Sequence, residues 1–463
     1  MRLVTSRLVT LVLLLSLTLP AACSLQQVDP SRESGGLIPF ESSFLGIRGV
    51  APAGWTETYP GTFRRVACEG DFTTLVQRSY RSIDTLSLME ATVFFDGSPL
   101  GDLPEASEML DTSLASWSLY EVSFDDFDGR RKAVDLALSQ VGEDSHVVIL
   151  VSDPEERSQL RKSVFLPAIR EVNSCDAPAE SSIREDNLYR FAYNEDSRLD
   201  VRETRRSTAD GITEIHLTYL SPSGERVPTI LMIPEGVGPF PGIVFQHGFP
   251  SNRFGIRSLA LQHAQIGAVC IMIDAPWARP DRAGRSYPFT FTEVDYEEQI
   301  QLIIDLRRAV DLLLGLPEVD PDQLAYVGAS FGGGVGGLLA GVESRLQAYV
   351  LIVGGGGLMA HFFGLEDVVF PSPQLTDPEV QQAWVEVMWP IEAIHYVGYA
   401  APAALLFQNG RADVAVPVPE AIAYQSAGSD PKTIQWYDAG HNLTNSTFDD
   451  HVEWLSQFIT YSR

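Results

Sequence analysis

The residues with the clearest chemical meaning lie in Leu324-Ala-Tyr-Val-Gly-Ala-Ser-Phe-Gly-Gly-Gly334. The pattern reads as strand, sharp turn, helix, and Gly328-Ala329-Ser330-Phe331-Gly332 matches G-x-S-x-G. Such a turn holds a serine in a strained conformation with its hydroxyl clear of the sheet. Glycine stands where a side chain would strike neighbouring backbone. The helix that starts there turns its positive end toward a developing oxyanion. A serine hydroxyl is not nucleophilic at neutral pH, so it needs a base, and the base needs an orienting acid. Both follow in the order acid, then histidine. Asp413 lies in Asn409-Gly-Arg-Ala-Asp413, 83 residues beyond Ser330. His441 lies in Tyr437-Asp-Ala-Gly-His441, 28 residues further on and ahead of the final helical segment. In this arrangement His441 takes the Ser330 proton, and Asp413 fixes the imidazole tautomer and stabilises its charged form. Taken singly, Asp413 also fits a turn aspartate and His441 a surface histidine. Together with a serine in a sharp turn they make a nucleophile, acid and base set. Asp438 is a rival acid, but it sits too close along the chain to His441.

A competing pattern overlaps this segment. Gly332, Gly334 and Gly337 fit G-x-G-x-x-G after a strand, the dinucleotide fingerprint. That fingerprint needs an acidic residue about 20 positions on. The chain reads Gly354-Gly-Gly-Gly357 there instead, so close helix–sheet packing accounts better for these glycines. No cofactor and no metal is expected; the cysteines and histidines show no close metal-ligand spacing.

The elements that must position these residues alternate from Gly242 onward. Strand patterns at 243–246, 269–273, 324–327, 348–353, 403–408 and 433–437 are interleaved with helical ones at 258–265, 293–314, 332–339, 419–426 and 449–460. Short apolar runs alternating with helices imply a mainly parallel sheet with helices on both faces, an α/β architecture. Antiparallel strands at 215–219 and 228–233 open this domain, which covers 186–463. About 45 residues separate the strand at 348–353 from Ala401-Pro-Ala403, too many for a connecting loop in a compact domain. They form a cap insertion, about 357–400, whose Phe362, Phe363, Phe370, Trp384, Met388 and Trp389 either line an apolar pocket or pack the cap onto the core. Trp277 and Arg279 are further pocket candidates; Arg279 would bind a carboxylate or pair with a cap acid. His361 and His395 have no assigned role. His247 is read as orienting its loop, and His451 as packing or exposed.

Upstream, residues 40–175 read as a small α+β domain. Strands are expected at Arg131 to Val141 and His146 to Val151, with a helix over Glu155 to Val172 in which Pro167 introduces a kink. This domain resembles the PsbP-like domains of exported bacterial proteins. It carries no catalytic signature, and His146 reads as structural. Residues 176–185 are a polar linker.

With these stretches in view, residues 186–463 resemble a serine α/β-hydrolase of the dienelactone hydrolase, acetyl xylan esterase and prolyl-oligopeptidase-like branch. The resemblance rests on the elbow, the acid and histidine loops, and the entry Pro-Gly-Ile-Val-Phe-Gln-His-Gly. Asp305-Leu-Arg-Arg308 with Asp311, and Val319-Asp-Pro321 before the elbow strand, add to it. It implies the α/β-hydrolase fold, and the backbone N–H groups of Phe249 and Phe331 as oxyanion donors. It also implies hydrolysis of an ester or related acyl bond through an acyl-enzyme. Dienelactone hydrolases proper use cysteine as nucleophile, whereas position 330 is serine.

Composition bounds the rest. The chain has 463 residues, 45% hydrophobic, with 33 basic and 61 acidic side chains and a net charge of −28. This balance excludes wholesale disorder, and the length exceeds one hydrophobic core. An acidic surface repels phosphate, so nucleic acid is not an expected partner, nor is an anionic membrane through a polybasic patch. The N-terminus carries an address: Arg2 and Arg7, an apolar stretch from Leu8 to Leu19, then Ala21-Ala22-Cys23. This is a secretory signal over 1–22. Its ending resembles a bacterial lipobox, with Pro20 where leucine is usual; the resemblance implies lipidation of Cys23. Residues 23–39 would be a tether, and the mature charge would be −30. Export makes a disulfide between Cys68 and Cys175 a candidate, and Cys270 reads as a buried small hydrophobe.

The expected protein is therefore an exported, lipid-anchored serine hydrolase acting on a small-molecule carboxylic ester, with no cofactor. A serine peptidase of the oligopeptidase type is one alternative. A non-catalytic binding lipoprotein with a vestigial site is the other.

Overall fold

The computed structural model describes residues 36–42, 47–59, 61–65, 73–81, 85, 89, 104–125, 130–142, 144–174, 180–280, 289–358, 378–413, 415–416, 418–443 and 446–461. The expected signal segment, Cys23, Cys68, Cys175, His361, Phe362, Phe363 and Phe370 lie outside them.

The larger domain is built on a nine-stranded sheet. Its spatial order is Arg202–Ala209, Ile212–Leu220, Arg226–Pro234, Val269–Ile273, Phe240–Gln246, Val319–Ala329, Ala348–Ile352, Ala404–Gly410 and Lys432–Tyr437. Pairings are antiparallel as far as Val269–Ile273 and parallel from Phe240–Gln246 onward. Every residue of Phe240–Gln246, Val269–Ile273, Ala348–Ile352 and Ala404–Gly410 is buried. Helices cover both faces, so these strands need apolar side chains on both sides and read as continuous hydrophobic runs. The edge strand Arg202–Ala209 is exposed throughout. It offers no apolar alternation, so sequence reasoning had no handle on it.

Helix Glu293–Leu314 is the main brace. The Thr292 side chain accepts from the Val294 N–H at its start, and Glu293 and Asp295 favour the positive end of its dipole. One face inserts Leu302, Ile303, Leu306, Val310 and Leu313 into the core. The charged marks near it form a scaffold. Arg308 pairs with Asp311 at 2.7 Å, and Asp311 also takes Arg345 at 2.5 Å.

The smaller domain holds a seven-stranded antiparallel sheet and a three-stranded one. Strands Arg131–Val141 and Asp144–Ser152 pair through the Gly142 turn, as expected from the sequence. The helical segment runs through Arg157–Leu160, a π-helical turn Arg161–Phe165 and Leu166–Glu171. The irregularity therefore falls just ahead of Pro167. His146 is buried among the strands. Two boundaries shift: strand Leu37–Ser42 begins inside the expected tether, and helix Glu180–Asn187 takes up the expected linker from Glu180 onward.

The two sheets meet across helix Val418–Ala427. Val76, Val134, Leu136, Leu138, Val147 and Ile149 of the smaller domain form one buried cluster with Val418 and Ile422 of that helix. The smaller domain thus packs on the element that follows the Asp413 loop.

Candidate active site

Strand order explains where the site forms. Strand Phe240–Gln246 lies between Val269–Ile273 and Val319–Ala329. The chain therefore crosses to one side of it and then to the other. The loops leaving the carboxyl ends of such strands part and leave a crevice. Gln246 pairs with Gly328, so the His247 loop and the elbow emerge side by side.

Ser330 has φ 56° and ψ −121°, a strained conformation for a residue with a side chain. The Ser330 N–H donates to the Ile352 carbonyl at 2.8 Å. A Cβ on Gly332 would lie 2.2 Å from the Gln246 carbonyl oxygen, and one on Gly248 would lie 2.8 Å from Ser330 Cβ. These contacts explain the glycines at both places.

Asp413 and His441 follow neighbouring strands, in which Gly410 pairs with Tyr437. The Ala412 N–H donates to the Ala439 carbonyl at 3.0 Å, lacing the two loops together. His441 Nδ1 lies 2.9 Å from Asp413 Oδ2 and 3.0 Å from Oδ1. His441 Nε2 lies 2.8 Å from Ser330 Oγ. Asp413 Oδ1 also accepts from the Ala415 and Val416 N–H groups at 2.8 and 3.0 Å. An acceptor-only carboxylate opposite Nδ1 places the ring proton there. That leaves the Nε2 lone pair for the Ser330 hydroxyl. The sheet thus brings Ser330, Asp413 and His441 into one hydrogen-bonded line. Asp438 stands apart: its side chain is 93% exposed and pairs with Arg411 at 3.6 Å.

His247 does not face Ser330 as a second base. Its Nε2 accepts from the Ala275 N–H at 3.1 Å, and its Nδ1 donates to the Gly248 carbonyl at 2.8 Å. Burial pushes its pKa down to about 4, so the ring is a neutral strut between two loops. His451 is fully buried and does more than pack. Tyr461, His263, His451 and Gln408 form a hydrogen-bonded chain, with the two rings stacked at 5.2 Å.

The pocket beside Ser330 and His441 is lined by Phe249, Phe331, Phe289, Leu358, Val416 and Glu420, among others. Phe249 stacks on Phe289 at 4.9 Å. Three expected pocket residues lie elsewhere. Arg279 is 1% exposed and bonds Asp305 of the brace helix and Glu225 of a hairpin turn, so it faces neither a ligand nor a cap acid. Burying a guanidinium demands such carboxylate partners, which the Asp305 of the sequence mark supplies. Trp277 stands behind the wall, edge-on to Phe331 at 4.8 Å. Trp389 packs edge-on against His395 at 4.4 Å. The cap aromatics that fall among the described residues serve packing. Trp384 donates to Asp295 of the brace helix at 2.9 Å, and Met388 joins the main core.

Sequence reasoning missed Phe289, Gln299, Leu358 and Glu420 as pocket residues. Glu420 reads in sequence as an ordinary acid in the first turn of a helix. Only the fold shows that this turn faces the pocket.

A nine-stranded, mainly parallel sheet with helices on both faces and a nucleophile-elbow turn defines the α/β-hydrolase fold, and the larger domain has it. No family model matches the chain. It is 25% identical over 248 residues to Esterase YjfP of Escherichia coli (strain K12), an alignment spanning 50% of this chain and 96% of that protein. Among solved structures it is similar to an acetyl xylan esterase from Paenibacillus sp. R4, with TM-score 0.52 and 20% identity. That match covers 61% of this chain and 95% of the other. Acetyl Xylan Esterase 1 from Thermoanaerobacterium sp. JW/SL YS485 is similar with TM-score 0.50 and 16% identity, covering 60% and 93% of the two chains.

Proposed function

We propose that this protein is a serine hydrolase that cleaves small carboxylic esters through an acyl-enzyme. The observation that carries the reading is the continuous contact from Asp413 through His441 to Ser330 Oγ, 2.9 Å and 2.8 Å in turn. His441 Nε2 takes the Ser330 proton as Oγ attacks the ester carbonyl. The Phe249 and Phe331 amides stabilise the oxyanion, with the elbow helix dipole behind them. Collapse expels the alcohol, which receives the proton from Nε2. Water deprotonated by His441 then attacks the acyl-enzyme, and the acid leaves as Ser330 regains its proton. Similarity to proteins named as esterases supports ester over peptide as substrate.

The test is turnover of p-nitrophenyl esters of rising chain length beside aminoacyl-p-nitroanilides, for wild type and Ser330→Ala. Ester turnover abolished in the variant, with fluorophosphonate labelling of wild type only, is the expected result. Turnover of anilides alone would move the assignment to a peptidase. No turnover and no labelling would leave a binding protein.

We further propose export and lipid anchoring through Cys23, supported by the Arg2 and Arg7 start, the apolar stretch and Ala21-Ala22-Cys23. Palmitate labelling in a bacterial host, lost in Cys23→Ala, is the expected result.

A further inference from the structure

One ionisable pocket residue has no part in the acyl transfer. Glu420 is 9% exposed and lines the same pocket as Ser330 and His441. Its Oε1 occupies the place where a Cβ on Gly355 would stand, 1.8 Å away, so the carboxyl lies against the loop Gly354–Gly357. Glycine at 355 is what admits it. Among the described residues no hydrogen bond or ion pair is made by this carboxyl. The other groups that act on it are the acids Asp413 and Glu392 and, from the smaller domain, Arg78. Glu392 has its own partner, the Leu358 N–H at 3.1 Å. The Glu420 carboxyl thus sits in the lining of this pocket beside Phe289, Leu358 and Val416, and among the described residues it makes no protein hydrogen bond.

Leaving such a group unsatisfied is costly, and a ligand that supplies the missing partner recovers the loss. Burial first, and then the neighbouring acids Asp413 and Glu392, drive the Glu420 pKa well up from the ordinary carboxyl range, toward the neutral form. A neutral carboxyl both donates and accepts, and its natural complement is a hydroxyl, which does the same. An alkyl chain leaves it unsatisfied. An anion meets Asp413 and Glu392.

We propose that Glu420 is a specificity residue that receives a hydroxyl on the substrate arm lodged against Gly355, Gly357 and Leu358, so that hydroxy-substituted esters are the preferred class. This rests on the hydrolase reading above. The hydroxyl belongs to the acyl arm or to the alcohol arm, and matched substrates separate the two.

The experiment compares kcat/KM of the full-length protein within matched pairs, so that partial loss of folded enzyme cancels. p-Nitrophenyl 3-hydroxybutyrate against the butyrate tests the acyl arm. 2-Hydroxyethyl butyrate against propyl butyrate tests the alcohol arm. Butyrylcholine against 3,3-dimethylbutyl butyrate tests a cation. Wild type is expected to favour the hydroxy member of one of the first two pairs by about tenfold, the scale of one buried hydrogen bond. Glu420→Gln keeps most of that preference, because an amide also donates and accepts. Glu420→Leu reduces the ratio to about one. A preference that survives in Glu420→Leu, or no preference in wild type, overturns the proposal. So does preference for the cation lost in Glu420→Gln, which would make Glu420 an anionic site. If Ser330→Ala keeps full ester turnover, the hydrolase reading itself has failed, whatever the ratios show.

Discussion

Asp413→Asn should remove catalysis while leaving the fold in place, and the geometry says why. Asp413 Oδ1 accepts two backbone N–H groups, from Ala415 and Val416, at 2.8 and 3.0 Å. An asparagine must put its carbonyl oxygen there, because its NH₂ would face two donors. The NH₂ then falls at the Oδ2 position, 2.9 Å from His441 Nδ1. Nδ1 then meets a donor at its nearer contact, with only the asparagine carbonyl at 3.0 Å left to hold its proton, which favours the tautomer with the ring proton on Nε2. A protonated Nε2 donates to Ser330 Oγ instead of taking its proton, and the general base is lost. The expected fall in kcat is about 10³- to 10⁴-fold, or roughly 4–5.5 kcal/mol, with little change in KM. The assay is initial-rate turnover of p-nitrophenyl acetate, beside far-UV circular dichroism and a denaturant titration. Asp413→Ala serves as the contrast. It loses catalysis too, but leaves two backbone donors unpaired and costs about 1–3 kcal/mol more in stability. A kcat reduced less than tenfold in a folded Asp413→Asn protein would refute the tautomer argument.

Three further outcomes are expected. Ser330→Gly and Ser330→Ala are both inactive, but only glycine relaxes the φ 56° backbone. Strain relief of about 1–3 kcal/mol less the entropy of a glycine leaves Ser330→Gly about 1 kcal/mol more stable in a thermal melt; equal stability would mean the elbow stores no strain. His395 is buried, with its pKa driven down to about 3. The unfolded chain therefore takes up a proton below about pH 6.5 that the folded chain refuses, and stability falls as pH drops from there toward 3. His395→Phe should lower the slope of stability against pH by about 1.4 kcal/mol per unit between pH 5.5 and 4, read from guanidinium titrations; an unchanged slope counts against a neutral buried ring. Val76 and Ile422 share one buried cluster across the two domains. A double-mutant cycle of Val76→Ala with Ile422→Val should show a coupling of about 0.5 kcal/mol or more; strict additivity would mean that the domain faces do not support each other.

Much of this protein is legible in its residues, and the rest is not, for physical reasons. The elbow Gly328 to Gly332 could be read because its glycines answer to backbone collisions set by the local turn. Strands such as Val269–Ile273 and Ala348–Ile352 could be read because a doubly covered strand must be apolar throughout. The loops of Asp413 and His441 could be placed after strands by the same logic, and their order along the chain paired them with Ser330. Which side chains end up enclosed was decided only by the tertiary structure. Arg279 and Trp277 follow a sheet strand and read as cleft residues. The brace helix instead draws Arg279 onto Asp305, while Trp277 stands behind Phe331. Asp413 and Asp438 look alike in sequence, yet one side chain is 0% exposed and the other 93%. The sheet register makes that choice. Glu420 belongs to the same class. Its type and its place in a first helical turn are local facts, but it lines Ser330's pocket only because helix Val418–Ala427 is held between two sheets. Residue type and spacing determine which chemistry the chain can attempt. Enclosure, which depends on contacts far apart in sequence, determines which of its polar groups are free to take part.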